Sequence, residues 1–125
     1  MVVAEGQPTY DNERQTQLLR GALDMCLLAL LAREPAHGYE LVRRMETAGF
    51  GAISYGTIYP LLTRMRRLGL VAHEQQVSPT GPPRKVYALT RSGRIHLDAW
   101  QKQWHRFADT VGAVLDPLDH SPKRS

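Results

Sequence analysis

The chain has 125 residues, a net charge of +4 and an apolar content of 42%. This length suits one domain with a modest core and excludes a large catalytic cleft. The single cysteine, Cys26, excludes an intramolecular disulfide and indicates a reducing compartment. Residues 1–17 lack the apolar core of a signal peptide, and the apolar run at residues 25–32 is too short to span a bilayer. We therefore expect a cytoplasmic protein.

Positive charge is concentrated in one part of the chain. Residues 43–94 contain nine Lys and Arg residues against two acidic residues, whereas the rest of the chain contains seven against ten. A basic segment of this kind is typical of a surface that binds a polyanion such as nucleic acid. The alternative interpretation is a generic basic surface, or one that binds an acidic protein partner.

The N-terminal third is predicted to contain an arm and a helix. Residues 1–15 are polar and show no periodicity, so we expect a flexible N-terminal arm. From residue 16 or 17 to Ala32 the chain is rich in Leu and Ala and has no β-branched residue after Thr16, which favours a helix. Because this run is apolar on more than one face, we expect it to pack on its own domain and on a partner subunit.

Two further helices are predicted before residue 70. The second begins at His37-Gly38 and ends at Gly49 and Gly51, and its buried face is Leu41, Val42, Met45 and Ala48. The third has Ser54 as its N-cap and buries Ile58, Leu61, Leu62, Met65 and Leu68. Pro60 leaves two alternatives, because proline breaks a helix interior: the regular helix starts near Gly56, or it bends around Pro60.

Two short strands follow, at residues 71–77 and 84–89. The Pro/Gly-rich tip at residues 78–83 is long for a tight hairpin, so the hairpin should be mobile. A polar-faced helix followed by a basic hairpin predicts a winged helix-turn-helix over residues 16–89. In that mainly α fold with a small β-wing, the third helix enters the major groove of DNA and the wing lies on the neighbouring backbone or in the minor groove.

The last helix is predicted over residues 90–116, with Thr90 as its N-cap, although Gly93 stands where a capping box would place Glu. Pro117 should end it, and residues 117–125 are expected to form a flexible tail. A heptad seam runs along the helix through Leu97, Trp100, Trp104, Phe107, Val111, Val114 and Leu118. This seam carries too much apolar area to face water, so the segment must pack against its own domain, against a second subunit as a C-terminal dimerisation helix, or against both.

Five segments together resemble the PadR family of bacterial transcriptional regulators, which is named for phenolic-acid-responsive repressors. They are LLRGALDMCLLALLA (18–32), HGYEL (37–41), GTIYPLLTRMRRLGLV (56–71), GPPRKVYALTRSG (81–93) and the W-x-x-F of Trp104 and Phe107. The YPLL core and the PPRK-Y-LT wing, in this order and at these distances, are specific. The single C-terminal helix is similar to the shorter subgroup of the family.

The resemblance implies a homodimer in which the first and last helices of the two subunits interlock. The expected interface residues are Leu19, Leu23, Leu97, Trp100, Trp104, Phe107 and Val111. The two recognition helices would reach successive major grooves of a pseudo-palindromic operator in double-stranded DNA, roughly 34 Å apart. Because members of this family usually repress, we expect a sequence-specific transcriptional repressor.

Candidate DNA contacts lie on the third helix, the second helix and the wing. Hydroxyl groups and an arginine near a helix N-terminus can hold phosphates and read base edges, which selects Ser54, Tyr55, Thr57, Tyr59 and Arg64. The resemblance adds Tyr39. The wing offers Arg84 and Lys85, of which only one should point at DNA because strand residues alternate faces.

Several of these residues have a purely structural alternative. Tyr59 could pack under its helix, Thr57 could merely cap it, and Arg64 could be a solvated side chain. Tyr39 could brace the helix-turn-helix from within the core.

A small-molecule site is implied at the dimer seam. Trp104 matches the position at which relatives with a flat central cavity place a tryptophan, and the two symmetry-related indoles can there sandwich a planar aromatic effector. Trp100 lies one turn earlier on the same seam. The alternative is that both tryptophans are simply dimer-core residues. We find no catalytic constellation, no metal-ligand spacing and no cofactor motif, so we do not expect an enzyme.

Overall fold

The structure, a computed structural model, describes residues 7–116, with side chains from Tyr10 onward. Its elements in chain order are α1 (Gln7–Arg20), α2 (Leu23–Arg33), β1 (Ala36–His37), α3 (Gly38–Met45), α4 (Tyr55–Arg67), β2 (Val71–Ser78), β3 (Gly81–Leu89) and α5 (Arg91–Leu115). A π-helical turn at Glu46–Phe50 continues α3 and ends at glycines with positive φ. Within residues 7–116, no helix combines the length and apolarity needed to cross a bilayer.

The core lies between α2, α3, α4 and the sheet. The three strands are antiparallel in the order β1-β3-β2, and β3 is the central strand. Leu27 and Leu28 of α2, Leu41 of α3 and Leu62 of α4 are completely buried. The structure therefore confirms the mainly α fold with a small β-wing, and the helix pair α3–α4 is its helix-turn-helix.

The N-terminal segment differs from the sequence-based expectation. The expected flexible arm over residues 1–15 is wrong from Gln7 onward, because α1 already begins there; residues 1–6 lie outside the described part. Helix formers such as Gln, Glu, Arg and Leu favour this helix although no apolar periodicity marks it. Pro8 is compatible with it because it lies in the first turn. The helix expected to run unbroken to Ala32 is interrupted at residues 21–22.

The wing is more regular than expected. β2 extends to Ser78 and β3 starts at Gly81, so the tip contains only residues 79–80 and the prediction of a long tip is wrong. The β2–β3 register is broken between Gln76 and Ser78, opposite Pro82 and Pro83. Proline has no backbone N–H to donate to a strand pairing, so the break accommodates both residues. Both prolines also lie beyond the part of β3 that pairs with β1.

Helix α4 begins at Tyr55, directly after its cap, and includes Pro60 as an interior residue. The predicted start near Gly56 thus agrees with the structure to within one residue. Two residues predicted to be buried are exposed: Ala48, in the π-helical turn, and Leu68, just after α4. Ala48 follows the end of α3 at Met45 and Leu68 follows the end of α4 at Arg67, so neither belongs to the buried face of its α-helix.

The start of α5 is fixed to the turn between α4 and β2. The Thr90 hydroxyl accepts a hydrogen bond from the Gly93 N–H at 2.9 Å, which confirms the predicted cap, and donates to the Gly69 carbonyl oxygen at 2.6 Å. The Cα of Gly93 lies so close to the Leu70 carbonyl that a Cβ there would overlap its oxygen. This contact explains why glycine stands where a capping box would have Glu.

We expect Gly93→Ala to lower the free energy of unfolding by about 2 kcal/mol, because the added methyl group must push α5 away from the backbone of Leu70. Urea denaturation followed by circular dichroism measures this. The matched control is Gly56→Ala on exposed α4, where the nearest atom to the new Cβ is Ser54 Oγ at 3.6 Å, an ordinary contact. Equal stability of the two variants would contradict the proposed close approach.

Candidate nucleic-acid interface

The N-terminus of α4 carries two exposed hydroxyl groups that are already engaged with each other. Ser54 Oγ accepts from the Thr57 N–H at 3.2 Å, and the two hydroxyl oxygens are 3.1 Å apart. Ser54 is thus the cap that the sequence predicted. Because both side chains remain exposed, each can still form a hydrogen bond with a ligand.

Three tyrosines form a continuous row across α3 and α4, which we call the tyrosine row: Tyr39, Tyr55 and Tyr59. The rings of Tyr39 and Tyr55 stack at a centroid distance of 4.5 Å, and those of Tyr55 and Tyr59 are 5.6 Å apart. The ring of Tyr55 lies against the backbone of Gly38, where a Cβ would overlap it. Tyr55 therefore holds α3 and α4 together.

The ends of the tyrosine row differ from its centre in exposure. Tyr39 is 64% exposed and Tyr59 is 39% exposed, whereas Tyr55 is half-buried. Burial raises the pKa of the Tyr55 phenol, and the neighbouring Tyr59 and Tyr39 raise it further. The exposed outer tyrosines do not fit the alternative in which they pack inside the core or under the helix.

Both basic residues of the wing contact the helix-turn-helix. Lys85 Nζ lies 5.8 Å from the centre of the Tyr59 ring, a distance at which a cation is attracted to the ring face. Arg84 Nη1 lies 3.2 Å from Nε2 of His37, the N-cap residue of α3. His37 was missed as a site residue, although the His-Gly signal that opens α3 was recognised.

Arg64 lies on the outer surface of α4, two turns after Thr57. Residues seven apart on a helix share a face, so Arg64 and Thr57 point to the same side. Arg66 and Arg67 add two exposed cations in the last turn of α4. The sequence analysis selected Arg64 as an arginine near the helix N-terminus, whereas the structure places it with Arg66 and Arg67 in the last turn of α4.

His73 of β2 reports the electrostatics between α4 and the wing. Its ring lies 5.5 Å from that of Tyr87, and its Nδ1 is buried without a hydrogen-bond partner. Burial lowers the pKa of His73, and the positive charges of Arg66 and Lys85 lower it further. Two cations, Arg66 and Lys85, therefore lie near the junction of α4 and the wing, where a phosphate would be attracted.

A second candidate site is an apolar groove between α1, α2 and α5. It has a volume of about 1310 Å³ and includes Leu19, Cys26, Trp100, Trp104 and Phe107 in its lining. Trp104 and Phe107 are 43% and 60% exposed, with ring centres 6.4 Å apart. The groove leaves a large apolar surface facing solvent in the single chain.

Two of the predicted dimer-interface residues need correction. Leu23 and Leu97 are each only 3% exposed, because they pack into the core of their own chain. They have almost no surface to offer a partner. The candidate interface therefore retains Leu19, Trp100, Trp104, Phe107 and Val111, whereas Leu118 of the predicted seam lies outside the described residues.

Comparison with known proteins places the chain among transcriptional regulators. Residues 27–99 match the transcriptional regulator PadR-like family. The chain is similar to a PadR family transcriptional regulator from Eggerthella lenta, with 37% identity, coverage of 90% of this chain and 97% of that one, and a TM-score of 0.82. For a PadR-like transcriptional regulator from Bacillus cereus the identity is 36%, the coverage is 79% and 96%, and the TM-score is 0.71.

One similar structure contains DNA. It is Bacillus subtilis PadR in complex with operator DNA, with 26% identity and a TM-score of 0.58. The match covers 63% of this chain and 46% of that one, so this chain spans about half the length of that regulator. These similarities confirm the family resemblance read from the sequence.

We expect acid to destabilise the protein partly through His73. Its folded-state pKa lies below the ordinary value of 6.5, so on acidification the unfolded chain takes up this proton first. The free energy of unfolding therefore decreases as the pH falls from about 6.5 through the folded-state pKa of His73, because protonation favours the unfolded chain. In His73→Gln, the difference in melting temperature between about pH 7.5 and about pH 5.5 should be smaller than in the wild type. His105→Gln on exposed α5 is the control, and an unchanged pH dependence in His73→Gln would contradict the assignment.

Proposed function

Because this chain belongs to the PadR-like family of transcriptional regulators, we propose that it is a dimeric repressor that binds a specific operator in double-stranded DNA. The observation that carries the proposal is the joining of the wing to the helix-turn-helix. Lys85 contacts Tyr59, and Arg84 contacts His37, so the wing and α4 form one positive surface.

In this proposal α4 lies in the major groove. Arg64 and Thr57 share an outer face of α4, from which an arginine can reach the acceptor atoms of guanine and a hydroxyl group can reach a base edge or a phosphate. The sequence predicted that only one of Arg84 and Lys85 points at DNA, but both contact the helix-turn-helix. We therefore propose that both lie on the flank and contact phosphates, which supply affinity and register but little sequence information. Tyr55 acts indirectly, by holding α3 and α4 at their mutual angle.

The proposed dimer covers the apolar groove. Its volume of about 1310 Å³ exceeds that of a site for one small ligand, which is roughly 300–1000 Å³. Exposed Trp104, Phe107 and Val111 continue the groove along α5, and an apolar patch of this size marks an interaction surface. A second copy of the chain is the occupant we propose, with α1 and α5 of the two subunits interlocked.

An effector would act through this interface. A planar aromatic molecule between the two copies of Trp104 would favour one crossing of the α5 helices over another. Because the start of α5 is fixed to the turn after α4, such a change would alter the spacing of the two α4 helices. The affinity for the operator would change accordingly.

The decisive experiment is an anisotropy titration against the DNA upstream of the protein's own gene, with a scrambled duplex and a salt series beside it. A strong preference for one duplex supports the repressor. Equal and salt-sensitive binding to both duplexes contradicts sequence-specific recognition of that DNA. In that case a basic surface for an acidic protein partner becomes the better interpretation.

We expect Arg64→Ala to weaken operator binding by about 10-fold or more and to relax specificity, since it removes a base contact. Lys85→Ala should weaken binding to all duplexes alike and reduce the slope of log affinity against log salt by about 1. Lys102→Ala removes one charge on the side of α5 away from the groove and is the matched control. If both variants bind like the control, the assigned DNA surface is wrong.

We expect Trp104→Ala to weaken the dimer by about 30-fold or more, as loss of a buried interface aromatic does. Sedimentation equilibrium over a range of concentrations measures this. Because Trp104 is 43% exposed within its own chain, the fold of the subunit should change little. Ile95→Ala is the control, since Ile95 is an exposed apolar residue of the same helix that does not line the groove. An unchanged dimerisation constant would rule out this interface.

A further inference from the structure

His37 has a hydrogen-bond donor on each side of its ring. Its Nδ1 accepts from the backbone N–H of Glu40 at 3.2 Å, which caps α3. Its Nε2 lies 3.2 Å from Nη1 of Arg84 on the wing. A guanidinium has only donors, and a neutral imidazole has one N–H group and one bare nitrogen. Because the bare nitrogen is used by Glu40, Nε2 carries the hydrogen, and two N–H groups face each other.

Each other form of the ring leaves at least one donor without an acceptor. With its hydrogen on Nδ1, His37 could accept from Arg84, but the Glu40 N–H would lose its cap. A doubly protonated ring would lose the cap and also place a second positive charge beside Arg84. The arrangement that satisfies both N–H groups is a shared acceptor, and a negatively charged oxygen is the strongest acceptor for such a pair.

We propose that His37 and Arg84 together bind one phosphate group of the operator, with His37 as an uncharged donor and Arg84 as the cation. The inference rests on the proposed DNA-binding function and deepens it. The pair joins the start of α3 to β3, and because Arg84 is exposed and His37 is only partly buried, the site is open to a duplex. One phosphate would thereby fix the wing against the helix-turn-helix.

The competing explanation is that His37 only caps α3 and braces Arg84. Asn and Asp are both good N-cap residues, so His37→Asn and His37→Asp preserve the cap and remove the Nε2 donor. His37→Asp would also offer Arg84 an acceptor, which preserves the brace. Because His37→Asn adds no charge, a purely structural role predicts normal DNA binding by this variant, whereas our proposal predicts weaker binding because the Nε2 donor is lost. In His37→Asp the carboxylate would in addition repel the phosphate and offset the charge of Arg84.

The experiment measures operator affinity, its salt dependence and the melting temperature of each variant. We expect His37→Asn to weaken binding by about 5-fold and His37→Asp by about 50-fold, with melting temperatures close to the wild type. Arg84→Ala should reduce the salt slope by about 1, whereas His37→Asn should leave the slope unchanged because the ring is uncharged. In the Arg84→Ala background the effect of His37→Asn should shrink, since both residues share one phosphate.

His105→Asp introduces the same negative charge on exposed α5 and controls for the change in net charge. Wild-type affinity in both His37 variants would overturn the phosphate site while leaving the repressor proposal intact. A wild-type protein that prefers no duplex overturns the repressor proposal and this inference with it. If His37→Asp proves unstable, affinity and salt slope of a stable His37→Asn decide the question.

Discussion

The contact between the Tyr55 ring and the backbone of Gly38 determines how the candidate DNA surface is built. Only a residue without a side chain lets the ring lie this close, and the contact sets the distance between α3 and α4. Tyr39 then stacks on Tyr55, the ring of Tyr59 lies tilted against Tyr55, and Lys85 lies over Tyr59. The position of the wing therefore depends on a packing contact in the helix-turn-helix.

A second close contact links this surface to α5. The Thr90 hydroxyl donates to the Gly69 carbonyl while Gly93 packs on that of Leu70, so the turn after α4 and the first turn of α5 are packed directly together. Packed elements of this kind change between discrete arrangements rather than deform gradually. In the proposed dimer, a change in how the α5 helices cross would thus be transmitted to α4 without a flexible linker.

The sequence predicted the helix starts correctly where a capping side chain lies next to the helix. Ser54 and Thr90 were recognisable as caps because a short hydroxyl preceded each helix, and the structure has both hydrogen bonds. The start of β3 at Gly81 was missed because it depends on a register break opposite Pro82 and Pro83, which only the paired strand reveals. Leu97 was assigned to the dimer interface, but it is buried within its own chain. A heptad seam does not show which of its residues pack on the helix's own domain and which extend beyond it.

The basic residues differ in whether their contact partners are charged. Those paired with carboxylates have a structural role, and those with uncharged partners remain available to DNA. Arg44 is held by two carboxylates, that of Glu34 at 2.9 Å and that of Glu40 at 2.8 Å, which ties α3 to the end of α2 and neutralises its charge. Arg84 and Lys85 instead contact an imidazole and a tyrosine ring, neither of which cancels a positive charge. The contact of Lys85 with Tyr59 thus positions the wing in the free protein without losing its attraction for phosphate. Because Lys85 already lies against this ring, its side chain loses less conformational entropy when DNA binds, and more of the electrostatic attraction appears as affinity.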